Sequence, residues 1–552
     1  MLQTWIAEAP GLIAGFLIAW ILLRGPAGDF DRFLGRVRTW AERPVLVCLF
    51  AVVFPIGLRL AFLPWSPAPH PIVHDEFSHL LLADTLAHGR LANPSHPFWE
   101  HFETIYVLQQ PTYSSIYPLG QGAMLAAGEI VFGHPWAGVL LGITAFNLAF
   151  FWMMRALLPA TWSALGCLVA MLQFEIFGYW INSYWGGALA AAAGSLFFGA
   201  VVRFLPSPRY RWGLLAGVGV VGMWHTRPFE TIWLTAGVLG LILWRFRRAG
   251  FRRLATDLSA FFIPVALCLA FALFLTGYHN YRVTGHALTL PYQLSQKQYG
   301  VPMGLIWEKE GPAPKFRYRN IEDCYRWQKE QAEQARNPGK FWLEYRLRLG
   351  LLWLVYVSPS LTIPFAVAFI GRPPVSLPMG GFLTLALLGS ALYPFLFPHY
   401  LAGYACLTVI FLVSGLRTLW SAGGRARRAL ALGSVLTLAI TAVAELSFWF
   451  RPGAETRRPH DTPWTVAEQL RSTPGKHLIF VRYSSRHDFT FEWVYNEADI
   501  DQARVVWARE ISPEKDRAFL EYFRDRRVWV LEPDTKPLVL RPYHGSPTSP
   551  KS

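Results

Sequence analysis

LGQGAMLAAGEIVFG, residues 119–133, is apolar enough to suggest a membrane span, yet it is short and carries Glu129. A spanning helix needs about 20 mainly apolar residues. Twelve other segments approach that length: 5–23, 44–63, 136–154, 161–178, 186–204, 212–226, 229–244, 257–277, 349–370, 377–396, 401–419 and 429–450. Lys and Arg gather on the cytoplasmic side of a membrane. The basic connections run from Arg24 to Arg43, from Arg203 to Arg211, through RFRRAGFRR at 245–253, at Arg372 and from Arg417 to Arg428. If 119–133 crossed, parity would divide these connections between the two sides. If it lies along the interface, all of them face one side, so a juxtamembrane helix is expected there.

The composition agrees with a polytopic membrane protein: 53% of the 552 residues are apolar, with 24 Trp and 51 Lys+Arg against 36 Asp+Glu. The formal charge of +15 gathers in short segments between apolar runs, where sidedness and anionic headgroups account for it. Nucleic acid is therefore not expected as a partner. Cys48, Cys167, Cys268 and Cys406 lie in apolar runs and Cys324 in a polar one, which supports neither a disulfide framework nor a Cys-based zinc site. The N-terminal MLQTWIAEAPGLIAGFLIAWILLR lacks a basic start and a small-residue cleavage site, and reads as a retained span. An integral protein of a bacterial inner membrane fits these features.

Parity sends 64–135, 178–186, 225–228, 278–348, 397–400 and everything after 450 to the outer side. The expected organisation is a mainly α transmembrane unit over 1–450, with about twelve spans and large outer loops at 64–135 and 278–348. An outer α/β domain follows over 451–542, and 543–552 is expected to be disordered. In that domain KHLIFVRYS, RVVWARE and RRVWVLE read as strands and PEKDRAFLEYFRD as a helix. REISPEKD has no Gly-rich loop, so a nucleotide site is not supported. No internal repeat is evident, which argues against an inverted-repeat transporter.

The chemistry gathers in the outer connections. HDEFSHLLLADTLAHGRL, 74–91, sets Asp75 beside Glu76 at the start of a helical run. Neighbours on a helix diverge by about 100°, so the two acids divide roles. One reading is a partly desolvated carboxylate acting as general base. The other is a helix cap. The aromatic-rich 93–122 suits headgroup anchoring or sugar contact. In GYWINSYWGG, Asn182 and Tyr184 either face a ligand or serve packing, with packing favoured. HTRPFE offers His225 and Arg227, whose partner is either Glu230 or a phosphate. YHNYRVTG adds Arg282, and FPHYLAG adds His399 and Tyr400. Cations and donors brought to one face from separate connections make an anion site, and the anion at hand in a membrane is a lipid phosphate.

Three other readings compete with this one. A structural assembly subunit would not need polar motifs from five separate connections to meet. A metallohydrolase would use His74, Asp75 and His79, or His96, Glu100 and His101. The spacing of five between the last two histidines, with Pro97 between them, does not stack ligands on one helical face. A transporter or flippase of lipid-linked substrates would place charges in mid-span, whereas these lie near the outer span ends.

The acidic pair in the first large outer loop, the multi-span body with basic cytoplasmic turns and the soluble outer tail resemble the GT-C superfamily of membrane glycosyltransferases, over roughly 44–420. The nearest branch is that of the protein O-mannosyltransferase and aminoarabinose-transferase-like enzymes. The resemblance implies inverting transfer of a sugar from a polyprenyl-phosphate donor to a lipid, glycan or protein acceptor on the outer face. It maps the catalytic acid onto Asp75, with Glu76 beside it. Arg227, Arg282, His399 and Tyr400 are then assigned to the donor phosphate, and His74, Asn182, Tyr184 and His225 to substrate contacts. Many relatives carry a second acid in a later outer loop. GYWINSYWGG has none, and Glu175 is the nearest substitute, so catalysis without a metal or other cofactor is expected. The tail is expected to serve as a lid or acceptor platform. The first span is additional to the pattern.

Overall fold

The computed structural model describes residues 2–24, 29–176, 178–249, 251–301, 305–308, 311–370, 376–449 and 462–544. Arg372, the connector 451–461 and the terminal 545–552 lie outside them.

Every one of the twelve apolar segments is helical. They form α1 (Leu2–Leu22), α3 (Pro44–Ala61), α6 (Pro135–Met154), α7 (Ala160–Ala170), α8 (Ala188–Phe204), α9 (Tyr210–Trp224), α10 (Pro228–Ala249), α11 (Phe251–Thr284), α14–α15 (Pro338–Tyr356 and Thr362–Ile370), α16 (Ser376–Ser390), α17 (Ala405–Ser421) and α18 (Arg425–Trp449). Helices satisfy their own backbone groups, which an apolar surrounding demands. Among the described residues, five helices are long and apolar enough to cross a membrane, or six if α14 and α15 count as one span bent by 81°. This is fewer than the twelve expected. Several of the others are short: α8 has 17 residues, and α7 passes into a π-turn at Met171–Glu175. Much of α8 is covered by protein, packed between α6 and α9.

The segment 119–133 forms α5 (Leu119–Phe132), packed on α4 (His74–Ala87) and α6. Gly120 N donates to His225 O at 2.8 Å, beyond the end of α9, while His134 at the other end contacts Trp464 of the tail. Both ends of α5 therefore lie at the same end of the bundle.

That end gathers the long connections. The first long loop, 64–135, holds α4, α5 and a small antiparallel sheet ordered β1 (Asn93–Pro94), β3 (Thr112–Ser115), β2 (Val107–Leu108). The second holds α12 (Pro291–Tyr299) and α13 (Arg319–Arg336). At the opposite end α2 (Asp29–Ala41) leads into α3.

In the tail, β4 (Lys476–Val481), β5 (Val505–Ala508) and β6 (Arg526–Glu532) are the three expected strands, and α20 (Pro513–Tyr522) is the expected helix. α19 (Pro463–Arg471) and β7 (Val539–Pro542) are additional. The sheet order is β5-β4-β6-β7, with β5 and β6 parallel to β4 and β7 antiparallel to β6. Leu478, Phe480, Val506 and Phe519 share a core with Leu81, Phe102, Val107 and Tyr113 of the first loop. The tail is thus fused to that loop by common apolar burial.

Candidate active site

α4 begins after Val73, an extended residue whose side chain cannot cap the helix. Helix starts leave amides unpaired, and Glu76 reaches back to supply the acceptor. Its Oε2 accepts from Ile72 N at 2.9 Å and Val73 N at 3.3 Å, and its Oε1 accepts from Tyr184 N at 3.0 Å. Burial pushes the Glu76 carboxyl above its usual value, against the pull of these amides. Glu76 is therefore the cap, and it locks the 178–187 connection to α4. Its oxygens are taken up by these amides, so although it lies near the Asp75 charge, the fold gives it a structural role rather than that of a free catalytic carboxylate.

Asp75 points elsewhere and keeps 25% of its side chain exposed. Tyr117 Oη donates to Oδ1, while His74 Nε2 lies 3.6 Å from Oδ2, which accepts no hydrogen bond among the described residues. The Tyr117 ring stacks on His79 at 4.1 Å, and His74 meets Tyr106 edge-on at 4.6 Å. Tyr106 has a left-handed backbone, φ 60°, and its carbonyl accepts from Ser78 Oγ at 2.7 Å. Such a conformation costs a non-glycine residue of order 1 kcal/mol. Ser78 is three residues beyond Asp75 on α4, so the helix that carries the acid also holds this ring. The Asp75 charge acts on Tyr106, Tyr117, Tyr292 and Tyr400. Tyr292 of α12 and Tyr393 join hydroxyl to hydroxyl at 2.8 Å. All five tyrosines are partly exposed, so their rings form an accessible wall around the acid.

Arg227, just before α10, lies over the Tyr400 ring at 4.6 Å and forms no ion pair among the described residues. Glu230, its candidate partner in the sequence, does not pair with it. Its charge acts on His79, His399 and Tyr400. Tyr400 thus feels both Asp75 and Arg227. His399 is buried, with Trp185 and Tyr400 each 4.9 Å away. Burial, and then the Arg227 charge, lower the His79 imidazole to about 3. It is a neutral side chain at ordinary pH, and its Nδ1 has no partner.

The remaining assignments fall in other places. Asn182 Oδ1 accepts from Arg59 Nε at 2.8 Å, and Arg59 also donates to Ser66 O and Pro67 O at 2.7 Å each. Tyr184 is buried, and its Oη donates to Pro69 O at 2.8 Å. Both side chains bond to the 59–69 segment that leads into α4, not to Asp75. His225 is buried beside α5, and its neighbouring charge is His279 rather than Asp75. Arg282 is exposed on α11, bonded to Tyr278 Oη at 3.2 Å. His225 and Arg282 are thereby corrected: the fold does not bring them to Asp75.

Of the metal candidates, Glu175 is fully buried and accepts from Asn147 Nδ2 at 2.9 Å. His96 and His101 meet Asp501 and Asp516 of the tail at 3.2 Å each, and Glu100 pairs with Arg317 and Lys515. Their work is docking. Among the described residues no three His, Cys, Asp or Glu side chains converge as a metal site requires.

Sequence reasoning missed the tyrosine wall and Arg59. Tyr106 and Tyr117 lie in the aromatic-rich 93–122, where headgroup anchoring explained them equally well. Tyr292 and Tyr393 carried no signal.

No family model matches the sequence, and no curated protein matches it. Among solved structures, the chain is similar to ArnT from Cupriavidus metallidurans bound to undecaprenyl phosphate, with 12% identity, 88% of this chain and 93% of that one covered, and a TM-score of 0.47. It is similar to the Archaeoglobus fulgidus oligosaccharyltransferase in complex with Zn and sulfate, with 12% identity, 88% and 67% coverage, and a TM-score of 0.49. The archaeal oligosaccharyltransferase AglB from the same organism, in complex with an inhibitory peptide and a dolichol-phosphate, gives 13% identity, 89% and 69% coverage, and a TM-score of 0.49.

Proposed function

We propose that this chain is a polytopic membrane glycosyltransferase of the GT-C kind, with twelve spans and its active site on the outer face of a bacterial inner membrane. It transfers a sugar from a polyprenyl-phosphate donor to an acceptor hydroxyl. The observation that carries this reading is that two opposite charges with no ion pair between them act on one ring: the Arg227 guanidinium lies over Tyr400 at 4.6 Å, and the Asp75 carboxylate, held by Tyr117 beside His74, adds its charge to the same tyrosine.

The donor phosphate sits against Arg227, whose fork matches its oxygens, with Tyr400, His399 and neutral His79 beside it. The acceptor hydroxyl approaches Asp75. Its oxygen bonds to the anomeric carbon as its proton passes to Oδ2, and the carbon–oxygen bond to the phosphate breaks with its electron pair going to the phosphate. A single displacement of this kind inverts the anomeric centre. Tyr117 fixes the orientation of the Asp75 carboxylate, and Glu76 fixes the start of the helix that carries it. The reaction is proposed to proceed without a divalent metal.

The test is a panel of radiolabelled polyprenyl-phosphate sugars offered to the purified chain, with and without a chelator. The proposal expects label transfer from at least one donor, unchanged by chelation. No transfer from any of them, to lipid, glycan or protein acceptors, would contradict it.

A further inference from the structure

The 18 residues of α3 separate α2 from the segment leading to Asp75, roughly 27 Å at 1.5 Å per residue. At that far end α2 borders a groove of about 530 Å3 lined by Arg32, Gly35, Arg36, Thr39, Trp40 and Arg43. Three arginines thus line one space with no carboxylate among its lining residues. Arg36 and Arg43 form no ion pair and no side-chain hydrogen bond among the described residues. The Trp40 ring meets Phe50 of α3 edge-on at 5.5 Å, which fixes it at the corner between the helices, and its indole N–H has no acceptor among the described residues. A Cβ added at Gly35 would meet nothing within 4 Å, so the space beside it is open.

Positive charge alone would be spread over the connection. Arg38 is exposed like Arg32, Arg36 and Arg43, but it does not line the groove. What distinguishes the groove is concentration: exposed Arg36 and Arg43 and half-buried Trp40 line one space large enough for a headgroup. Phe33 stands 58% exposed on the same helix, and a helix combining exposed aromatics with arginines lies in the headgroup layer. Guanidinium forks match phosphate oxygens, and tryptophan favours this depth.

We propose that the α2 groove is a binding site for the phosphate of an anionic phospholipid in the leaflet opposite the Asp75 end, held by Arg36, Arg43 and the Trp40 N–H. The site is independent of the transfer chemistry and would stand if that reading failed. The lipid fixes the corner between α2 and α3, where Ala41 packs with Leu158 and Ala160.

The test is retention of phosphatidylglycerol against phosphatidylcholine by the full chain, read by native mass spectrometry, with thermal unfolding in each lipid. The variants are Arg36→Gln/Arg43→Gln, Gly35→Leu, which fills the groove without changing charge, and Arg38→Gln/Arg425→Gln as a control of equal charge. The proposal expects phosphatidylglycerol to be retained and stabilising. It expects retention to fall about tenfold or more in the first two variants, as loss of a charge-assisted bond implies, and to stay at the wild-type level in the control. Equal loss in the control would reduce the groove to diffuse charge and overturn the proposal. So would equal retention of both lipids, or full protection by inorganic phosphate in place of the lipid.

Discussion

Asp75 and Glu76 share one helical turn and face directions about 100° apart. Glu76→Gln leaves three amides a weaker acceptor, and about 1–3 kcal/mol of stability should be lost. Thermal unfolding in detergent measures this, and the fraction still folded should keep its transfer activity. Tyr117→Phe removes the hydroxyl that orients Asp75, and the transfer rate should fall by about tenfold with donor affinity unchanged in a binding titration. His79 carries a pH signature. Its folded value of about 3 lies below the ordinary 6.5, so its contribution to stability is present above pH 6.5 and is lost as pH falls from there towards 3. His79→Gln should therefore flatten the loss of melting temperature across that window. The sequence singled out Asp75, Arg227, His399 and Tyr400 from their chemistry, and in the fold the first three all act on or touch Tyr400. It could not separate Asp75 from Glu76, since which amides a carboxylate meets depends on residues far along the chain, such as Tyr184. Nor could it reject Arg282, which the fold leaves exposed on α11 beside Tyr278.

Among the elements, α5 was the most ambiguous in the sequence and is among the best defined in the fold. Its Gly128 lies against the backbone of Gly138 in α6, with no room for a Cβ on either residue. Gly138→Leu should force the two helices apart, at a cost of about 1–3 kcal/mol or more, seen as a lower melting temperature. The twelve apolar segments were legible as helices because hydropathy needs no tertiary context. Their lengths were not. The sharp bend between α14 and α15 falls at Ser358, a non-glycine residue with φ 65° that no turn motif announces. α12 and α13 were hidden inside a polar loop that offers no apolar run.

For the molecule as a whole, the tail proves inseparable from the site. Arg509 pairs with Glu492 inside the tail, donates to Asn320 Oδ1 of α13 at 2.7 Å, and donates to Glu103 O of the first loop at 3.0 Å. Both charged side chains are at most 4% exposed. Tyr495, three residues beyond Glu492, stacks on Phe77 at 4.3 Å, two residues from Asp75. Arg509→Met should strand the Glu492 charge and cost about 3–5 kcal/mol, whereas replacing both with apolar residues should cost far less. Limited proteolysis of the tail distinguishes these outcomes. The sequence made three strands and a helix of the tail legible, but it described a lid or platform. Only the buried cluster and the shared core reveal a common wall, because they join residues hundreds of positions apart. At this scale the account rests on Asp75 acting as a base beside a phosphate held by Arg227. The most direct measurement is transfer by Asp75→Asn at donor concentrations where its polyprenyl-phosphate binding equals that of the wild type. The account predicts intact binding with transfer lost; transfer at the wild-type rate would contradict it.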